Sequence, residues 1–173
     1  MRGRSVLGIQ SGLSGSAVRH GRVLGIDAGE RRVGVALSDE LRLLASPFAV
    51  LDRTHGLAPV LDALVDVARS EGVTHMVVGL PLNADGTEGR QARRAQDFAR
   101  VAERVIGLPV EMWDERLSSK EAEDIARAQG RNMRRLRERG QLDAIAAAVI
   151  LQDYLDHSPK ETPPRLSQLT SDF

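Results

Sequence analysis

The sequence predicts an α/β protein: a five-stranded mixed sheet, with its first three strands antiparallel and helices on both faces. Three observations lead to this prediction. Short apolar runs separated by turns come first, strands and amphipathic helices then alternate, and one strand is apolar without alternation, as strands buried on both faces are. The element order is β-β-β-α-β-α-β-α-α, and right-handed crossovers would place the fourth and fifth strands parallel to the first.

The first three strands are predicted from period-two patterns separated by turns. The run VLGID at 23–27 is followed by a turn at Gly29, and VGVAL at 33–37 resumes the apolar pattern. This arrangement is typical of an antiparallel hairpin. A third strand is expected at 48–52 (FAVLD).

The second half of the domain is predicted to alternate helices and strands. Apolar residues spaced by three and four indicate amphipathic helices, and Ser118 with Glu121 has the spacing of a capping box. The predicted elements are a helix over 57–72, a strand over 75–80, a helix over 92–105, a strand over 108–115, a helix over 118–130 and a final apolar helix over 141–155.

Composition limits the class of protein. The 173 residues and 42% hydrophobic content predict one globular domain, and the absence of cysteine excludes disulfides, thiolate nucleophiles and cysteine-ligated zinc. No apolar run reaches the roughly 18 residues of a membrane span, and we expect a cytoplasmic location with no membrane partner. Residues 1–21 are predicted to be a disordered extension, 22–156 the folded domain, and 157–173, with three prolines, a flexible tail.

Four acids are placed where this sheet would bring them to one edge. Asp27 ends the first strand, Asp114 and Glu115 end the fifth, and Asp143 opens the last helix. Ligands of open α/β sheets bind at the carboxyl ends of parallel strands. Each acid alone is more often a turn, cap or helix-dipole residue, so their joint placement is what favours a site.

Clustered carboxylates repel one another, and a hard divalent cation relieves that cost. Mg²⁺ or Mn²⁺ prefers oxygen ligands, and two such ions stabilise the attacking and leaving oxygens of a phosphodiester displacement by water. The acids therefore predict a metal-dependent phosphodiesterase site with two ions.

Four segments in order resemble the signatures of the YqgF/RuvX family: GIDAGERRVGVALSD at 25–39, VVGLPLNADGTEG at 77–89, DERLSS at 114–119 and DAIAAAVILQDYL at 143–155. The resemblance covers about residues 23–156. It implies a nuclease with an RNase H-like fold related to Holliday-junction resolvases of the RuvC type. It also implies a role in 5′-end maturation of pre-16S rRNA or, alternatively, in resolving Holliday junctions during DNA recombination and repair.

The resemblance also implies roles for individual residues. Asp27 matches the first-strand acid, Asp143 the last-helix acid, and the middle acid falls in the DER motif, with Glu115 preferred and Asp114 as its substitute. The chain has LSS where the family commonly has LTT, a departure that leaves the acids intact.

Basic and polar residues near these acids are predicted to contact nucleic acid. They lie in the first turn, in the 80–89 loop, beside the DER motif and in the arginine run RNMRRLRER at 131–139. Such side chains suit phosphate contacts, although a charged run or loop is more often simply solvated. The predicted contacts are Arg32, Asn83, Thr87, Arg90, Arg116, Arg134 and Arg135.

Several alternatives stay open at this level. The expected partner is structured RNA or branched DNA, with ribosome precursors as one source. A junction resolvase needs two symmetric cuts and so a homodimer, whereas a monomer would suit precursor RNA. A non-catalytic nucleic-acid-binding module is a further alternative. An actin-like ATPase is disfavoured because 173 residues leave no room for a second half and no Walker-type glycine loop is present.

Overall fold

The computed structural model describes residues 21–116 and 140–158. Five strands form one sheet in the order β3-β2-β1-β4-β5. β1, β2 and β3 pair antiparallel, while β4 pairs parallel with β1 and with β5, as predicted. The elements are β1 (Arg22–Ala28), β2 (Arg32–Ser38), β3 (Ala45–Asp52), α1 (Ala58–Ser70), β4 (Val73–Leu80), α2 (Arg90–Ile106), β5 (Val110–Asp114) and α3 (Gln141–His157).

The third strand is longer than its sequence pattern indicated. β3 begins at Ala45 and contains Pro47, and its register with β2 shifts between Val35 and Ala36. Proline donates no backbone hydrogen bond, so it occurs in strands only at edges and bulges. β3 is the edge strand here, which is why the sheet accepts Pro47 although the apolar pattern is interrupted.

Helices cover both faces of the sheet. α1 and α2 pack against one face, where Leu24 and Ile26 of β1 and Phe98 of α2 share a core. α3 covers the other face, where Val23, Val77 and Leu151 belong to a second core. Because successive strand residues point to opposite faces, each strand supplies both cores.

α3 lies unusually close to the sheet because small residues face it. A Cβ added at Gly25 would lie 2.7 Å from the Cβ of Leu151 and 3.0 Å from the carbonyl oxygen of Ala147. α3 is rich in alanine, and its buried side chains pack closely against the strands. This close packing fixes the position of the helix along the strands. Its first turn is thereby held against β2 and β3, beside the carboxyl end of β1.

Some predictions fall outside the described residues. These are the helix over 118–130, the arginine run at 131–139 and the terminal segments 1–20 and 159–173, which stay predictions. Among the helices that the structure describes, none is both long and apolar enough to cross a membrane.

Candidate active site

Asp27 lies near the end of β1, on the face covered by α3. Its neighbours two and four residues earlier, Gly25 and Val23, both contact that helix. Alternation along the strand therefore directs the Asp27 carboxylate toward α3. Burial, and secondarily the charge of Asp143, raises the pKa of Asp27 from 3.8 to about 6.

Asp143 reaches the same place from the first turn of α3. Gly34 of β2 pairs with Asp27, and a Cβ at Gly34 would overlap the carbonyl of Asp143. The start of α3 is thus pressed against the backbone of β2 beside Asp27. The Asp143 carboxylate makes an ion pair with Arg32, with Nε and Oδ2 3.5 Å apart, and more than half of the Arg32 side chain is exposed.

Glu115 follows the last residue of β5 and folds back over β4. A Cβ at Gly79 would lie 2.6 Å from Oε2 of Glu115, so the carboxylate occupies the space that glycine leaves. Its backbone N–H donates to the carbonyl of Leu80 over 3.3 Å. Burial first, then the charges of Asp27 and Asp114, raises the pKa of Glu115 from 4.5 to about 7.

Asp114 has a different environment. Arg116 holds its carboxylate in a two-pronged contact, with Nη2 2.6 Å and Nε 2.9 Å from Oδ2. This hydrogen bonding lowers the pKa of Asp114. Along β5, Asp114 alternates with Glu115 and shares the parity of Val110 and Met112, which pack on the α1–α2 face. Of the two neighbouring acids, the structure brings Glu115 toward Asp27.

The 81–89 loop is ordered by its own side chains. Asn83 Nδ2 donates to the Thr87 hydroxyl over 2.9 Å, and that hydroxyl donates to Asp85 Oδ1 over 2.6 Å. Gly86, with a φ of 86°, completes the turn. A Cβ there would lie 3.3 Å from Nη1 of Arg116, so the loop and the DER motif are neighbours.

The remaining residues predicted to contact nucleic acid differ in where they lie. Arg90 begins α2 directly after the loop and is exposed. Arg116 lies beside the loop, with 40% of its side chain exposed. Arg134 and Arg135 lie outside the described residues.

The site therefore gathers Asp27, Glu115 and Asp143 at one edge of the sheet. Burial, and then repulsion among the carboxylates, raises the pKa values of Asp27 and Glu115. Within the described ranges, no group of three acidic or histidine side chains is close enough together to hold one metal ion. The donor set is nevertheless all oxygen, the ligand type of Mg²⁺ and Mn²⁺.

Sequence reasoning did not recognise Gly34 and Gly79 as part of the site. Each is the residue whose missing side chain makes room for an acid: the backbone of Asp143 at Gly34 and the carboxylate of Glu115 at Gly79. A signal was present, because a glycine inside an otherwise apolar strand often marks a close approach.

A family model described as "RuvX: Holliday junction resolvase" matches residues 21–157. The chain belongs to the RuvX family. The family predicted from the sequence motifs is thus confirmed, and with it the nuclease class.

Three curated RuvX relatives carry the name "Putative pre-16S rRNA nuclease". The one from Anaeromyxobacter sp. (strain K) is 53% identical over 136 residues, which is 78% of this chain and 96% of the relative. The one from Syntrophus aciditrophicus is 43% identical, covering 83% and 93%. The one from Myxococcus xanthus is 42% identical, covering 82% and 92%.

Among solved structures, the RuvX chain is similar to RuvC of Thermus thermophilus in complex with a Holliday junction substrate. The TM-score is 0.50 at 17% identity, and the match covers 79% of this chain and 96% of RuvC. Such a likeness shows the fold, and it confirms the predicted RNase H-like architecture.

Proposed function

We propose that this RuvX protein is a divalent-metal-dependent endonuclease that hydrolyses phosphodiester bonds in the 5′-end maturation of pre-16S rRNA. The observation that carries the proposal is the meeting of Asp27, Glu115 and Asp143 at one sheet edge. The substrate is supported by the names of relatives that are up to 53% identical.

The residues at this edge fit a divalent cation. Mg²⁺ needs only one or two protein carboxylates, since waters and substrate phosphate complete its shell. Asp27 and Glu115 are the first ligands we propose, because a cation would offset the burial and repulsion that raise their pKa values. Asp143 would join them by exchanging its ion pair with Arg32. Asp114, held by Arg116, is left out of the set.

When bound, two Mg²⁺ or Mn²⁺ ions would stabilise charge on the attacking and leaving oxygens of the reaction. The chain itself contributes the rest. The carboxylates would fix the edge at which phosphate is accepted. We assign further substrate contacts to Asn83 and Thr87 of the 81–89 loop, whose side chains hold each other by a hydrogen bond. Arg32 and Arg116 are exposed enough to contact phosphate oxygens through their guanidinium groups.

A second candidate substrate, the four-way DNA junction, is favoured by the description of the family model. Symmetric cutting of a junction requires two active sites in one assembly, so this function predicts a homodimer. Mass measurement in solution with and without a junction therefore separates the two substrates independently of cleavage.

The decisive experiment compares wild type with Asp27→Asn and Asp143→Asn in Mg²⁺ or Mn²⁺. A labelled precursor-rRNA 5′ leader and labelled DNA junctions are offered side by side. Asp62→Asn is the matched control, since Asp62 is an exposed carboxylate on α1 away from the site. We expect metal-dependent cutting of the leader by wild type and the control, and loss of cutting in both site variants.

Two results would overturn parts of this proposal. Preferential cutting of the junction would replace the RNA substrate by DNA. Intact binding without cutting of either substrate, in wild type as in the variants, would leave a non-catalytic nucleic-acid-binding module.

A further inference from the structure

The outer face of α2 carries an unusual charge pattern. Five arginines lie on it at helical spacing, and all five are exposed. Positions three, four and seven apart share one side of a helix, so these side chains form a single stripe. We call it the arginine stripe: Arg90, Arg93, Arg94, Arg100 and Arg104.

The stripe is not explained by composition or by local pairing. The chain has as many acids as Lys and Arg, 24 of each, yet the only acid exposed among the five arginines is Asp97. Asp97 pairs with Arg100 at 3.2 Å, and Arg94 pairs with Glu30 at 3.0 Å. The other three arginines have no ion-pair partner among the described residues. A solvated helix face ordinarily mixes both signs.

The neighbouring helix provides a comparison within the same face of the protein. The outer side of α1 exposes Asp62 and Asp66 together with Arg69, so both signs are present there. Positive charge is therefore concentrated on α2 and does not extend over the whole α1–α2 face.

The stripe begins at the end of the sheet that carries the candidate active site, on the face opposite to α3. Arg94 contacts Glu30, which lies only three residues after Asp27, in the turn between β1 and β2. Arg90 directly follows the 81–89 loop, and Gly86 in that loop neighbours Arg116. From this edge α2 runs back toward the opposite edge of the sheet, since it connects the parallel strands β4 and β5.

The shape and chemistry of α2 indicate what the stripe would bind. Arg90 and Arg104 are separated by about 21 Å along a straight helix. A rigid row of guanidinium groups suits regularly spaced phosphates. The only aromatic residue of α2, Phe98, is 1% exposed, so the helix offers no platform on which unpaired bases would stack. A double-helical backbone fits these features better than a single strand.

We propose that the arginine stripe binds the sugar–phosphate backbone of a double-helical RNA segment flanking the bond that the site cleaves. This inference rests on the proposed nuclease function and adds the path of the substrate outside the site. RNA recognised through its backbone would be held by shape and charge, without reading of base sequence.

The test measures binding separately from cleavage. The inactive Asp27→Asn protein is titrated with labelled RNA hairpins whose duplex is either shorter or longer than α2, at several salt concentrations. The same titrations are made after adding Arg93→Gln with Arg104→Gln. Arg69→Glu on α1 is the control, because it changes net charge by the same amount on an exposed site outside the stripe.

We expect the protein with an intact stripe to bind the longer duplex more tightly than the shorter one. The Arg69→Glu control should show the same preference. The stripe variant should not show this gain, and the slope of log affinity against log salt should decrease by about 2, one for each phosphate that an arginine no longer neutralises. Arg93→Lys with Arg104→Lys should restore much of the gain in affinity with duplex length and much of the salt dependence, because the charges are retained.

Three results would overturn the inference. The first is the same gain in affinity for the longer duplex in the stripe variant, and the second is an equal loss of that gain in Arg69→Glu. The third is an equal gain with duplex DNA, which would make DNA the ligand in place of RNA. Far-ultraviolet circular dichroism of each variant checks that the fold is intact. Failure of wild type to cut RNA would refute the proposed function, whereas the binding data would still decide the stripe.

Discussion

The carbonyl oxygen of Asp143 lies where a side chain at Gly34 would begin, so that no residue larger than glycine fits there unless α3 moves. Gly34 also pairs with Asp27 across the β1–β2 hairpin. One glycine thus sets the distance between the helix that carries Asp143 and the strand that carries Asp27. Sheet and helix are joined at the point where the acids meet.

Gly34→Ala and Gly79→Ala should differ in what they damage. Alanine at Gly34 meets backbone, so we expect a loss of about 1–3 kcal/mol or more in the free energy of unfolding. At Gly79 it meets the ends of two flexible side chains, Glu115 Oε2 at 2.6 Å and Ile150 Cδ1 at 2.7 Å, so stability should change less while cleavage falls. Urea denaturation and cleavage rate measure the two effects.

The control for the glycine substitutions is Gly56→Ala. Gly56 has a φ of 98° with open space around it, so alanine strains the backbone without touching the site. Its cleavage rate should match wild type. Equal loss of cleavage at positions 56 and 79 would contradict the role given to Gly79.

Glu115→Gln and Asp114→Asn test which neighbouring acid serves the site. Glu115 faces Asp27, whereas Asp114 is bound by Arg116. We expect Glu115→Gln to lower metal-dependent cleavage by about 100-fold or more, and Asp114→Asn to lower it much less. The reverse order, with both proteins folded by circular dichroism, would assign the ligand to Asp114.

Arg32→Ala should strengthen divalent metal binding to the free protein. Arg32 neutralises Asp143 at 3.5 Å, and a metal must compete with it. The Arg32 and Asp143 side chains are 53% and 36% exposed, so solvent weakens the pair and the gain in affinity should be only about twofold to fivefold. Calorimetric titration with Mn²⁺ measures it, and the exposed neighbour Arg31→Ala is the control. Unchanged or weaker binding would show that the pair does not oppose the metal.

Stability of the metal-free protein should depend on pH through Asp27 and Glu115. Their folded pKa values, about 6 and about 7, exceed the ordinary values of 3.8 and 4.5. Between about pH 4 and pH 7 these two carboxyl groups therefore hold more protons in the folded state than in the unfolded chain, and their contribution to the free energy of unfolding decreases as pH rises. Burial lowers the pKa of His75 from 6.5 to about 4, so its contribution changes in the opposite direction over the same window.

Asp27→Asn should flatten this decrease and raise the free energy of unfolding at pH 8 by roughly 1–2 kcal/mol, since one buried, repelling charge is removed. Denaturation curves across the window measure the change, and Asp62→Asn should leave the wild-type profile unaltered. If the free energy of unfolding changes with pH as steeply in Asp27→Asn as in wild type, the Asp27 carboxylate does not cause the pH dependence.

For the described residues, the order of elements, the antiparallel start of the sheet and the edge that carries the acids were all predictable from the sequence. Period-two and helical patterns are local, and parallel strands after a crossover align their carboxyl ends. The resemblance of four ordered motifs then indicated the family. Strand ends were less predictable: Pro47 interrupts a pattern, but an edge strand tolerates it.

Other properties were decided only by the tertiary structure. Alternation shows that Asp114 and Glu115 point to opposite faces, but which face meets Asp27 depends on the pairing of β4 with β5 and on the side that α3 covers. The ion pair of Arg32 with Asp143 joins residues more than a hundred positions apart. The sequence alone determined which groups the chain carries and along which elements, because local spacing sets both. Only the packing of distant elements determined which of those groups touch, because such contacts depend on non-local register and on the close approach that Gly34 and Gly79 permit.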